Sequence, residues 1–86
     1  MVVTKQDVAE KIAAHLQHRV TLPQLVDWAE NAMMDAAFDE KDATTISAVV
    51  ARLGVADVRA FGLTWTDCEE LLANLGFSAR VEIIAA

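Results

Sequence analysis

A single cysteine, Cys68, excludes an internal disulfide, and with it the cross-linked scaffolds by which many small secreted domains offset a small core. Proline occurs once, at Pro23, and glycine three times, at Gly54, Gly62 and Gly76. That is too little of either for a flexible linker, so the 86 residues read as one domain, 1–86, with no internal boundary. Bases are outnumbered, 7 Lys and Arg against 13 Asp and Glu. The net charge of -6 gives an average field that repels phosphate backbones and anionic lipid and attracts basic surfaces. Neither nucleic acid nor membrane is expected as a partner. No apolar run approaches the roughly 18 residues of a membrane span, and Met1 to Asp7 has no apolar run of signal-peptide type. A cytoplasmic location is expected. Phosphate-binding glycine loops, HExxH and GxSxG are absent, so the reading is of a non-enzyme without cofactor.

Apolar residues are what the chain has in plenty. They make up 55% of it, but sixteen are alanines, which favour helix and add little burial. A domain of this size buries only about 60 to 65% of the surface its unfolded chain exposes. Cover from a partner or a second copy would add to its stability.

One local pattern occurs four times: an apolar residue, Thr or Asp, two residues, Asp or Gln, then a small or apolar residue. The copies are Val3-Thr4-Lys5-Gln6-Asp7-Val8, Val20-Thr21-Leu22-Pro23-Gln24-Leu25, Phe38-Asp39-Glu40-Lys41-Asp42-Ala43 and Leu63-Thr64-Trp65-Thr66-Asp67-Cys68. Each fits a helix start. The Thr or Asp oxygen accepts from an orphan amide of the first turn, the side chain three residues on reaches back, and the flanking apolar pair closes as a staple. Gln24 is the preferred third-position partner, whereas the shorter aspartates are expected to act more through the helix dipole. Pro23 suits a first turn, where a missing N–H costs nothing.

After each start, apolar residues recur at three-to-four spacing, which predicts helices over about 5–17, 22–37, 40–53 and 65–75. Their buried faces are Val8, Ile12 and Leu16; Leu25, Ala29, Ala32, Met33 and Ala36; Ile46, Val49, Val50 and Leu53; and Cys68, Leu71, Leu72 and Leu75. Gly54 and Gly76 suit the left-handed turn that ends a helix. Val58 and Phe61 suggest one further turn before Gly62. Beyond Gly76 the period changes to two, with Phe77, Ala79, Val81 and Ile83 alternating with Ser78, Arg80 and Glu82, which predicts a strand over about 77–84. That strand needs a mate: His18 to Thr21, a second copy, or a partner's sheet edge. The fold class is mainly α, four helices with a short C-terminal strand.

Few residues suggest chemistry. His15 and His18, three apart, would share a helix face and with a third ligand hold zinc, but no Cys or acid stands beside them at ligand spacing. Cys68, in a first turn, is placed where a dipole lowers a thiol pKa, yet it falls on the apolar face with the leucines. The chief asymmetry is acidic: Asp27, Glu30, Asp35, Asp39, Glu40 and Asp42 fall within sixteen residues, with Lys41 the only base among them. These acids read either as a solvated face with helix caps or as a docking surface for a basic protein. Trp28, at the shoulder of the second helix's apolar stripe, belongs either to the core or to an interface. Trp28, Asp35, Asp39, Glu40 and Asp42 are the candidate partner-binding residues.

The opening Thr4-Lys5-Gln6-Asp7-Val8-Ala9-Glu10-Lys11-Ile12-Ala13 is similar to the first helix of HU-type bacterial DNA-binding proteins. The basic, glycine- and proline-containing arms of that family have no counterpart in this acidic chain, so the resemblance implies no DNA binding here. The leading functional expectation is a non-enzymatic protein–protein interaction module, and charge and size suit an immunity-like or antitoxin-like role of bacterial type. The alternatives are a homodimeric or higher structural protein, and an enzyme or metal protein using His15, His18 and Cys68.

Overall fold

Three of the four helices begin where the capping pattern places them. In the computed structural model, which describes residues 2–35, 37–58 and 62–85, α1 spans Lys5–Leu16, α2 Leu22–Asp35, α3 Ala43–Gly54 and α4 Trp65–Asn74. The protein is mainly α. Three of the four starts are reciprocal caps. The Asp7 amide donates to Thr4 Oγ1 at 3.2 Å and the Thr4 amide to Asp7 Oδ2 at 3.0 Å. Gln24 and Thr21 exchange the same two bonds at 3.3 and 2.9 Å, and Asp67 and Thr64 at 3.1 and 2.9 Å. The aspartates therefore reach back as far as glutamine does, contrary to the expectation that they act mainly through the dipole. Val3 and Val8, which flank the first cap, both lie in the core as a hydrophobic staple requires.

The third start behaves differently, for a tertiary reason. Val2–Val3 forms a short strand, β1, paired in parallel with β2, Ala37–Phe38, with Val2 opposite Ala37 and Val3 opposite Phe38. The ladder continues one step to the Asp39 amide, which donates to the Val3 carbonyl at 2.9 Å. With that amide already satisfied, Asp42 has nothing to reach back for. Asp39 Oδ1 instead accepts from the Lys41 amide at 3.2 Å over one 3₁₀ turn, Glu40–Asp42, and α3 starts after it without a side-chain cap. Asp42 pairs with Lys5 Nζ at 3.8 Å.

The helix ends correct part of the glycine reading. Gly76, at φ +89°, closes α4 as expected: its amide donates to the Ala73 carbonyl and the Phe77 amide to Leu72, the paired bonds of a Schellman turn. Gly54 is instead the last residue of α3, with Val55 following at φ -109°. The other left-handed glycine is Gly62, at φ +55°. The Ala56 and Val58 amides donate back to the Leu53 and Val55 carbonyls as turns, with Val58 largely exposed; Phe61 lies outside the described residues. The end of α1 repeats the Schellman pattern with a histidine. His18 sits at φ +62°, its amide bonded to the His15 carbonyl and the Arg19 amide to Ala14.

The C-terminal strand expected over 77–84 is not formed. Residues 77–85 run outside any helix or strand, and the sheet among the described residues is the two-residue ladder of β1 with β2. His18 to Thr21 offers no mate, because the Arg19 and Val20 amides are both spent on the Ala14 carbonyl. Nor does α2 reach residue 37, since Ala37 and Phe38 are drawn off to pair with β1.

The core gathers most of the predicted faces; Leu16 packs against it partly buried, and Ala36 lies outside the described residues. Val8, Ile12, Leu25, Ala29, Ile46, Val50 and Leu53 are fully enclosed, with Leu71, Leu72 and Leu75 closing one side. The most extensive packing is between α2 and α3. Met33, expected inside, is 49% exposed, whereas Val26, not among the expected core residues, is buried. Burial of each such large side chain contributes about 1.5–3 kcal/mol, and no buried polar residue occurs among the described residues. Among those residues no helix is long and apolar enough to cross a membrane.

Candidate partner-binding site

Each of the five candidate residues has a definite place, and the five do not form one cluster. Trp28 is half-buried on α2, packed against the core edge, with Lys11 Nζ of α1 over its ring at 5.7 Å. Such a cation–π contact at a partly exposed site contributes about 0.5–1 kcal/mol. The indole lines a shallow cleft between α1 and α2 with Val3, Asp7, Glu10, Lys11, Ala14, Arg19 and Val20. None of the four candidate acids lines it. Lysine, arginine and two carboxylates give that cleft no single sign of charge.

Asp39 and Asp42 carry structural duties, the first capping the 3₁₀ turn and the second pairing with Lys5. Asp35 and Glu40 are exposed. They flank β2, one at the end of α2 and the other at the start of the turn. The outer face of α2 adds more of the same kind. Asp27, Glu30, Asn31 and Met34, at helical spacings of three, four and seven, are all exposed, Met34 by 78%. The sequence reading missed Met34 because it is adjacent to Met33. A helix wheel places one of two neighbouring methionines near the core stripe and the other outside, and here both remain in solvent.

The residues considered for chemistry lie apart. His15 is partly buried, its Nδ1–H donating to the Val20 carbonyl at 3.2 Å, while His18 is exposed in the left-handed turn beyond the helix. They do not share a helix face. Cys68 is buried to 1% exposure; desolvation, reinforced by the Asp67 charge, pushes its thiol pKa up against a smaller opposing pull from Arg52. Asp67 is shifted the other way. Bonds from the Thr64 backbone and side chain hold its carboxyl below the ordinary value of 3.8, helped by Arg52 at 3.4 Å. Among the described residues no three His, Cys, Asp or Glu side chains converge as a metal site would need.

A second exposed apolar region lies at the opposite end of the chain. Trp65 at the start of α4, together with Phe77, Val81 and Ile84, borders a groove floored by Ala9, Ala13 and Leu16 of α1. Along residues 77–84, Ala79 packs against the core, whereas Val81, Ile83 and Ile84 are 68%, 93% and 79% exposed. The period-two pattern pointed to Phe77 and Val81 as strand residues in need of a mate, but gave no sign that Trp65 and Ile84 border the same groove. Comparison with protein-family models, with curated proteins and with solved structures finds no match to this chain.

Proposed function

We propose that this chain is a non-enzymatic protein–protein interaction domain that docks a basic partner on the outer face of α2 and the turn after β2. The observation that carries it is the exposed Met34 standing among exposed acids, Asp27, Glu30, Asp35 and Glu40, with Lys41 the only base between residues 27 and 42. A flexible thioether supplies apolar contact that adapts to its partner, and a ring of carboxylates steers a basic surface onto it. The non-enzymatic part of the reading draws support from Cys68, enclosed and with a raised pKa, and from His15, engaged with the Val20 carbonyl. A cytoplasmic setting belongs to the same proposal and rests on the lone free thiol. An immunity-like or antitoxin-like role remains the specific form of it suggested by charge and size.

The test is retention of native-host proteins on the immobilised chain. Wild type is compared with Asp35→Asn/Glu40→Gln and, separately, with Met34→Ser. Retention of one basic protein by wild type, with loss in both variants and stronger binding at low salt, is expected. Equal retention by all three would move the docking site elsewhere.

A further inference from the structure

Residues 78–85 make no backbone hydrogen bond to any described residue, although their alternation is that of a strand. A segment outside any helix or strand, whose amides and carbonyls no described residue engages, beside exposed Val81, Ile83 and Ile84, is a template for strand pairing. Its own charges select the mate. In an antiparallel pair between two copies with Val81 opposite the second copy's Val81, Arg80 stands opposite Glu82 and Glu82 opposite Arg80, so both cross-strand pairs are of opposite sign. The same register places Ala79 against Ile83 on the apolar face. Sliding by one residue on each strand in one direction sets Arg80 against Arg80, and in the other Glu82 against Glu82. Odd slips bring the charged face against the apolar one. We propose that the chain forms a two-fold symmetric dimer through its C-terminal segment, antiparallel and with Val81 on the axis. An isolated two-stranded ribbon is marginal in water, so cover matters. Trp65 and Phe77, 39% and 41% exposed beside the segment, supply apolar surface next to it. This dimer does not use the acidic face of α2, and substitutions in the tail leave that face unchanged.

Sedimentation equilibrium of the full chain, from micromolar to near-millimolar concentration, tests it with a charge exchange. Wild type is expected to rise from the mass of one chain toward two. Arg80→Glu alone and Glu82→Arg alone each weaken association about tenfold or more, because both cross-strand pairs become like-charged, and the two changes together restore it. Circular dichroism checks that the exposed substitutions leave the helices intact. The register has its own readout. Val81→Cys is expected to oxidise to a covalent dimer, whereas Ile83→Cys, held about 14 Å from its symmetry mate, is not. Buried Cys68 does not compete. A single-chain mass at every concentration overturns the proposal. So does a dimer indifferent to the single reversals, one that the double exchange fails to restore, or cross-linking at residue 83 in place of 81.

Discussion

His18 occupies a backbone conformation that costs most L-residues about 1–2 kcal/mol, and it does so because the Schellman turn after α1 requires it at that position. Glycine does not carry that cost, though its unfolded chain is freer. His18→Gly is therefore expected to raise stability by about 0.5–1 kcal/mol, read as a higher urea midpoint at unchanged slope, while His18→Ala brings no gain. Asp67 makes a different residue-scale prediction. Its folded pKa lies below 3.8, so its contribution is complete above that value and is lost as pH falls through the folded pKa. Urea midpoints measured against pH should fall in that acid range for wild type, and Asp67→Asn should lack this component. Curves that run parallel would show that the Thr64 and Arg52 contacts do not distinguish the charged carboxylate.

At the scale of the element, the caps separate two kinds of helix start. Thr64 both accepts from the Asp67 amide and donates its own amide in return, whereas α3 begins at Asp42 with no side-chain cap. Thr64→Ala is expected to cost about 1 kcal/mol in a denaturation experiment. Asp42→Ala removes only a partly exposed ion pair at 3.8 Å and is expected to change the midpoint little. If the two cost the same, the local cap is not what sets the start of α4. The pattern in the sequence is the same in both places. What differs is the use made of one amide, that of Asp39, which β1 takes.

For the whole molecule, β1 is the tie between the N-terminus and the corner where α2 gives way to α3. Its two valines have opposite fates: Val3 is 1% exposed within the core, and Val2 is 59% exposed on the other face of the same pair. Val3→Ala is expected to cost about 2 kcal/mol, from lost burial and the space left behind, and Val2→Ala to fall within about 0.5 kcal/mol of wild type. Thermal unfolding of the two variants side by side reads the difference. A modest total stability makes the first loss conspicuous. The proposed tail dimer would add to that stability at high concentration by mass action.

The sequence by itself determined what depends on neighbours within a turn or two. Thr4, Thr21 and Thr64 with their partners at i+3 set the helix starts, Gly76 set one end, and the spacing of Ile46, Val49, Val50 and Leu53 set a buried face, because caps and periodicity are local. The acidic bias of residues 27–42 was legible in the same way, as was the strand-like alternation after Gly76. Tertiary structure alone decided the rest. β1 and β2 are two residues each and lie some 35 positions apart, too short to show a period and too far apart for one to predict the other. Their pairing shortened α2, took the Asp39 amide and released Asp42 to Lys5. The left-handed turn fell to His18 because the Ala14 carbonyl had to be satisfied where α1 stopped. The tail was left unpaired because the segment nearest to being its mate had already spent two of its amides on that helix end.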